Sequence, residues 1–406
     1  MRRAAGSTLG GMLGSRLAVA QRAAVPPFHV MDVLAAAAQR ERTHGDLVNM
    51  AAGQPFAPPS APVLAAARDA LTEAATRPDR LGYTVALGIA PLREAIAGHY
   101  RRAYDLAVTP DDVVVTTGSS GGFLLAFLAA FDAGARVAMT RPGYPCYRNI
   151  LAALGCTVVE LPCGPDTRFQ PTLAQLQALD QPIDGLIVAS PANPTGTVLA
   201  AAELAAIASW CEAAGVQLVS DEIYHGITYG ESGEGTSCAW HTSRETIVVN
   251  SFSKFFAMTG WRLGWLLVPQ RLRRAVDCLT GNFTICPPAL AQHAAVAAFT
   301  PESHAELTGH VRRYAHNRAL LLDGLPALGL PRLAPADGAF YIYADISDFS
   351  PDSMTFCRRL LADTGIAIAP GVDFDPVDGH QHVRMSFAGA TSDVEEALRR
   401  LASWLR

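Results

Sequence analysis

The sequence is nearly free of lysine: of its 32 lysine and arginine residues, only Lys254 is a lysine. An arginine guanidinium stays protonated in proteins, whereas a lysine amine can lose its proton and form an imine with a carbonyl compound. A chain that uses arginine everywhere else and keeps one lysine indicates a position that needs this chemistry. The alternative is chance survival in a chain biased toward arginine, and the residues around Lys254 decide between the two.

Other absences exclude whole classes of protein. The net charge of −5, with no basic stripe, does not favour nucleic acid or anionic membrane as a partner. The longest apolar stretch, around residues 123–131, is too short to cross a bilayer. The eight cysteines form no CxxC pair and have no histidine spacing suited to zinc, so they read as reduced thiols of a cytoplasmic protein without a metal.

Strand-like and helix-like segments alternate between about residues 50 and 300. Seven strand candidates are present, and most are continuously apolar, which is typical of a mostly parallel sheet buried on both faces. They are residues 113–117, 136–140, 157–161, 186–189, 217–220, 247–250 and 263–268. We therefore predict an α/β fold whose large, mostly parallel seven-stranded domain is joined to a smaller α+β domain.

After about residue 300, the alternating segments give way to one long helix-like segment and then to strand-like segments separated by Gly and Pro. This change in pattern predicts the domain boundaries. Residues 1–31 contain four arginines and no acidic residue, as an organelle transit peptide does, but the whole chain shares this bias. Residues 1–14 are therefore interpreted as a flexible N-terminal extension rather than a targeting segment. Residues 15–49 form an N-terminal arm and part of the small domain. Residues 50–300 form the large domain, and residues 301–406 complete the small domain.

The stretch that carries the chemistry is Ser251-Phe-Ser253-Lys254, followed eight residues later by Arg262. It comes directly after a predicted buried strand, where α/β folds bind ligands. Here the chain resembles the class I (fold-type I) pyridoxal-5′-phosphate (PLP)-dependent aminotransferases, from roughly residue 20 to the C-terminus. This family includes aspartate, alanine, aromatic and branched-chain enzymes. The resemblance implies that Lys254 holds PLP as a Schiff base, with Ser253 beside it in the cofactor site.

A Gly-Ser-Ser turn between a predicted strand and helix, Gly118-Ser119-Ser120, offers backbone N–H groups and hydroxyls to an anion. Alone it reads as an ordinary helix cap. The resemblance assigns it, together with Ser251 and Arg262, to the phosphate of PLP.

Two further strand ends carry Asn193 and the pair Asp221 and Tyr224. The resemblance implies that Asp221 keeps the pyridine nitrogen protonated, which lets the ring withdraw electrons, and that Asn193 and Tyr224 bind its phenolic oxygen. Either motif in isolation would be a turn after a strand. Tyr144 aligns with the aromatic residue that stacks on the ring, and simple packing is its alternative.

The substrate and the second subunit are also implied by resemblance. Arg384 matches the arginine that binds the α-carboxylate, and Gly53 matches a loop that closes on the same group, with Asn193 nearby. Tyr83 matches a tyrosine that reaches the phosphate of the neighbouring subunit. The resemblance thus predicts a homodimer with composite active sites.

The resulting hypothesis is an aminotransferase that moves an amino group from an L-amino acid to 2-oxoglutarate or pyruvate by a ping-pong mechanism, with Lys254, Asp221 and Tyr224 catalytic. A related PLP lyase or decarboxylase would share every cofactor residue. A PLP-binding transcriptional regulator would need a DNA-binding module before residue 50, where we expect no room. An inactive homologue is disfavoured by the intact residue set.

The donor side chain is left open by the motifs. The apolar helix at residues 121–131 supplies no second cation for a dicarboxylate, so we predict a neutral aliphatic or aromatic donor. Arg22, Arg141 and Arg148 are the arginines that could change this prediction.

Overall fold

A computed structural model describes residues 19–230 and 236–406. The described strands begin with β1 (Val48–Asn49) and continue with β2 (Val113–Thr116), β3 (Arg136–Arg141), β4 (Thr157–Pro162), β5 (Gly185–Ala189), β6 (Gln217–Asp221), β7 (Ile247–Ser251) and β8 (Gly264–Leu267). The large domain is built on a seven-stranded sheet with the strand order β2-β8-β7-β6-β5-β3-β4, in which only β8 is antiparallel to its neighbours. Each of the seven predicted strands is present, with ends that differ by at most one residue.

Both faces of this sheet are covered, because successive side chains of a strand point to opposite sides. In β5, Leu186 and Val188 join one hydrophobic cluster while Ile187 joins the other. Helices cover each face, as predicted from the continuously apolar strands. The described α-helices up to residue 300, of which α1 belongs to the small domain, are α1 (His29–His44), α2 (Ala61–Ala74), α3 (Ala90–Tyr104), α4 (Gly118–Ala130), α5 (Pro145–Ala153), α6 (Leu173–Gln177), α7 (Ala201–Ala214), α8 (Arg273–Phe283) and α9 (Ala289–Ala295).

The small domain follows and has its own hydrophobic core. Its C-terminal elements are α10 (Pro301–Ala327), β9 (Tyr341–Asp345), α11 (Ser353–Thr364), β10 (Ile366–Ala367), β11 (Ala369–Pro370), β12 (His382–Ser386) and α12 (Thr391–Trp404). The three-stranded antiparallel sheet of this domain has the order β11-β12-β9. The N-terminal segment belongs here as well, because β1 pairs with β10 and α1 contacts α11 and β11.

Two sequence predictions lie beyond this description. The proposed extension at residues 1–14 falls outside the described residues, and the residue boundaries of the domains stay predictions. Within residues 19–230 and 236–406, no helix is long and apolar enough to cross a membrane.

Candidate active site

A cavity of about 570 Å³ lies at the carboxyl ends of the large-domain strands, beside the small domain. Asp221 is the last residue of β6, and Lys254 follows the end of β7 by three residues. Parallel strands end at one edge of a sheet, so motifs far apart in the sequence meet there. The predicted residues that line the cavity are Gly53, Ser119, Ser120, Tyr144, Asn193, Asp221, Tyr224, Ser253, Lys254, Arg262 and Arg384.

Lys254 and Asp221, which both line the cavity, have strongly shifted pKa values. Desolvation, together with the charge of Arg384, lowers the pKa of Lys254 to about 7, against a weaker opposing effect of Asp221. The Lys254 Nζ donates a hydrogen bond of 2.6 Å to the carbonyl oxygen of Gly53. Burial raises the pKa of Asp221 to about 6, although Tyr147 and the Ile223 N–H (3.1 Å) both donate hydrogen bonds to its carboxylate.

Another part of the cavity, formed by residues 118–120 with Arg262, is suited to bind an anion, and we call it the anion cradle. Ser119 and Ser120 lie in the first turn of the 13-residue helix α4, whose N-terminus favours negative charge. Gly118 has a φ of +68°, and a Cβ there would collide with the guanidinium of Arg262, so glycine allows the arginine to approach. Ser251 supports the cradle from behind, since its Oγ accepts the N–H of Ser253 at 3.0 Å.

These residues fit PLP on observations of the site itself. A lysine amine with a pKa near 7 suits imine formation with the aldehyde. The buried Asp221 carboxylate, with its raised pKa, lacks a cation strong enough to offset its burial, and a protonated pyridine nitrogen would supply one. The helix N-terminus with Arg262 suits the phosphate.

Arg384, on β12, is a buried cation of the cavity. Its guanidinium lies between the rings of Tyr341 and Phe374, with its central carbon 4.4 and 4.7 Å from their centroids. It donates to Asn193 Oδ1 at 3.0 Å and to the carbonyl oxygen of Ala51 at 2.8 Å. Neither partner is a carboxylate, so this buried cation can still pair with a carboxylate of a ligand.

Three predicted site residues do not line this cavity: Gly118 and Ser251 lie next to residues that do, whereas Tyr83 lies elsewhere. Its side chain is 86% exposed and lies in a separate surface groove with Thr117 and Cys286. Its role toward a neighbouring subunit therefore stays a prediction.

Sequence reasoning missed two tyrosines of the site. Tyr147 hydrogen-bonds to Asp221, and its position three residues after Tyr144, on the same side of α5, is the signal that could have found it. Tyr341 packs under Arg384, and its hydroxyl lies 2.7 Å from that of Tyr224. Tyr341 lies in an apolar strand, where a tyrosine is ordinary, so the sequence gives no sign that it belongs to the site.

It also missed the part of the cavity surface that we call the apolar wall, which consists of four residues at the start of α1. Sequence reasoning took the helix at residues 121–131 as the neutral surface, and this was wrong: Phe123 and Phe127 of α4 pack into the core against the sheet, and only the first turn of α4 reaches the cavity. The neutral surface comes instead from the apolar wall, formed by Phe28, Val30, Met31 and Leu34.

The three arginines held open as a second cation do not line the cavity. Arg141 pairs with Asp375 and Asp378, each at 2.9 Å, and Arg148 pairs with Glu160 at 3.6 Å. Arg22 is exposed on a short 3₁₀ turn. Among the described residues, the cations that line the cavity are Lys254, Arg262 and Arg384.

Comparisons with known proteins identify the family of the chain. Residues 45–401 match the family model described as aminotransferase class I and II. The chain is 67% identical to a valine–pyruvate aminotransferase of Mycobacterium tuberculosis, over 95% of this chain and 98% of the relative. It is 35% identical to an aspartate/prephenate aminotransferase of Thermus thermophilus, over 93% and 96% of the two chains.

Solved structures give the same result. A crystal structure of an aminotransferase from Mycobacterium tuberculosis superimposes with a TM-score of 0.93 at 66% identity, covering 96% of this chain and 99% of that one. The aspartate aminotransferase of Thermus thermophilus, solved with maleate, gives 0.88 at 34% identity, over 95% and 99%. The chain therefore belongs to the class I and II aminotransferases, PLP-dependent enzymes that move an amino group from an amino acid to a 2-oxo acid.

Proposed function

We propose that Lys254 carries the cofactor and also moves the proton of the substrate Cα. When bound, PLP supplies a carbonyl that condenses with amines and a ring that withdraws electrons. The pKa of Lys254, about 7, leaves much of its amine unprotonated near neutral pH, so it can act as a nucleophile and then as a base.

The other predicted residues are proposed to bind and orient. Asp221 holds a proton on the ring nitrogen, while Asn193 and Tyr224 bind the phenolic oxygen and Tyr144 stacks on the ring. The phosphate is bound by residues 118–120 with Ser251, Ser253 and Arg262. Arg384 binds the α-carboxylate of the substrate, near Gly53.

For the donor, we propose a neutral aliphatic L-amino acid, with valine as the first candidate and pyruvate as the acceptor. The observation that carries this proposal is the apolar wall, combined with the roles already given to the three cations of the cavity. A second carboxylate would lie against apolar side chains without a partner, which costs several kcal/mol. The name of the 67% identical relative supports the same donor and acceptor.

The donor is tested by a screen of the twenty amino acids against pyruvate and against 2-oxoglutarate. We expect valine to exceed aspartate in kcat/KM by at least about tenfold. The side-chain carboxylate of aspartate would lose its hydration against the apolar wall, whereas the side chain of valine carries no charge. A preference for aspartate would refute the neutral-donor proposal while leaving the aminotransferase activity intact.

We also propose that the enzyme is a cytoplasmic homodimer with composite sites. Large apolar side chains are exposed around the groove that holds Tyr83, where a second copy would cover them. They are Tyr83, Val85, Phe283 and Ile285, which are 86%, 65%, 58% and 52% exposed. The eight free cysteines are consistent with a reducing compartment.

Mixed dimers test the composite site. Each homodimer of Tyr83→Ala or Lys254→Ala is expected to be impaired at both sites, whereas a mixed dimer has one site with both wild-type residues. Random mixing should therefore recover about a quarter of the wild-type activity, because about half of the dimers are mixed and each of these has one intact site. The other site of a mixed dimer lacks both residues, and nothing there replaces the positioning by Tyr83. No recovery in mixed dimers confirmed by mass spectrometry would place Tyr83 in its own subunit's site or outside catalysis.

A further inference from the structure

Two neighbouring residues of the small domain contact both surfaces that recognise the donor. Asp373 accepts the backbone N–H groups of His29 and Val30 at 2.8 and 2.7 Å, at the beginning of α1. The ring of the next residue, Phe374, lies 4.7 Å from the guanidinium carbon of Arg384. The helix that carries the apolar wall and the proposed carboxylate-binding arginine are therefore in contact with consecutive residues.

Asp373 replaces a helix cap that α1 lacks in its own sequence. The N-cap position of α1 is Phe28, which has no side-chain group that can accept a hydrogen bond. The first N–H groups of a helix have no partner within it, and a carboxylate there also interacts favourably with the helix dipole. Asp373 lies 343 residues from Val30 in the chain and is only 5% exposed, so the cap is a tertiary contact.

The segment that carries Asp373 is held to the large domain. Arg141, the last residue of β3, donates to Asp375 and to Asp378, each at 2.9 Å. Two residues later, the N–H of Gly143 donates to the carbonyl oxygen of Phe374 at 3.0 Å. Because Gly143 directly precedes the tyrosine proposed to stack on the cofactor, these contacts fix the segment relative to the cofactor side of the cavity.

We propose that Asp373 is a positioning residue for donor specificity. By holding the first turn of α1, it sets the distance between the apolar wall and Arg384, and hence the length and branching of side chain that fits between them. The inference rests on the proposed function, since it concerns the surface that a neutral donor's side chain contacts. Asp373 does not contact the reacting atoms, so its loss should change selectivity more than the chemical step.

The test compares valine with alanine in the first half-reaction, measured on the holoenzyme without an acceptor. In Asp373→Ala, the second-order rate constant for valine should fall about tenfold, while that for alanine, whose methyl group reaches less of the apolar wall, should fall less than about threefold. The loss for valine should appear in the apparent dissociation constant for valine, with little change in the limiting rate constant of the half-reaction. Asp373→Asn keeps one acceptor oxygen and should shift the valine/alanine ratio in the same direction by less.

A matched control is available in α11, which contributes no residue to the cavity. Asp352, the N-cap residue of that helix, accepts the N–H groups of Met354 and Thr355 at 3.3 and 2.9 Å and so also caps a helix with a carboxylate. Asp352→Ala should lower the stability by about 1 kcal/mol and leave the valine/alanine ratio unchanged. Hydrogen exchange at residues 29–34 should accelerate in Asp373→Ala and not in Asp352→Ala.

Each outcome has a distinct meaning. An equal loss for valine and alanine in the Asp373 variants, or an unchanged ratio in an enzyme that still prefers valine, would overturn the inference alone. A wild-type enzyme that prefers aspartate to valine would overturn the proposed function and the inference with it. A selective loss for valine that accompanies faster exchange at residues 29–34 would support the positioning role.

Discussion

The two sides of the cavity are built in different ways. The cofactor side consists of polar groups at the ends of buried strands, where Asp221 and Lys254 have pKa values shifted toward each other. The proposed donor side is the apolar wall, on a helix at the molecular surface where Met31 is 59% exposed. Under the proposed function, the reaction chemistry would depend on the ends of buried strands, whereas donor selectivity would depend on a helix at the surface.

The largest effect is expected on the cofactor side. Lys254→Ala should lower turnover by about four orders of magnitude or more, because it removes both the nucleophile and the base. The rate of the first half-reaction and the attachment of cofactor by borohydride measure this. Lys254→Arg is the control, because it restores a cation that cannot form an imine. Normal turnover in either variant, or a borohydride adduct in Lys254→Ala, would contradict the assignment.

Asp221 should give the next largest effect. Asp221→Ala removes the carboxylate expected to hold a proton on the ring nitrogen, which should raise the barrier by about 3–5 kcal/mol. Asp221→Glu keeps the charge and should be much milder. Comparison of kcat for the two variants, at equal cofactor content, is the measurement. Equal losses would show that the charge at this position is not what matters.

The pH dependence of stability should sharpen the comparison further. Folding raises the pKa of Asp221 from 3.8 to about 6, so its ionised form is disfavoured in the folded state. This cost is absent below pH 4 and fully present above pH 6. In the cofactor-free enzyme, Asp221→Asn should therefore raise the free energy of unfolding at pH 8 by up to about 3 kcal/mol, and by much less at pH 4.

Denaturant titrations of the two cofactor-free proteins at both pH values give this difference. Exposed Asp348, which contacts Arg332 on the surface of the small domain, offers an Asp348→Asn control that should show no comparable gain at pH 8. A gain of equal size at both pH values would mean that ionisation of Asp221 is not its cause.

The smallest of the four effects is expected on the donor side. Leu34→Arg places a cation in the apolar wall, where it can pair with a second carboxylate of the donor. The ratio of kcat/KM for aspartate to that for valine should rise about tenfold, while the cofactor remains bound. Leu34→Met keeps the wall apolar and should leave the ratio nearly unchanged. A similar change in both variants would indicate altered packing of α1 rather than a new charge pair.

The same contrast explains what the sequence could predict. The strands of the large sheet are buried on both faces, so their apolar runs are visible, and the polar residues that end them stand out. Phe28, Val30 and Leu34 are ordinary apolar residues of a helix, and nothing local tells a core position from a cavity surface. Their placement depends on Asp373, more than 300 residues away, which no local pattern relates to them.

Lys254 is the one lysine of the chain as well as a residue of the cavity, and this has a practical consequence. A protease specific for lysine has one bond to cut in the unfolded polypeptide, giving fragments of residues 1–254 and 255–406. Once borohydride has reduced a cofactor onto the amine, that cut should be blocked. A single gel lane then reports what fraction of the molecules carried cofactor, without spectroscopy and in an unpurified mixture if the chain is tagged.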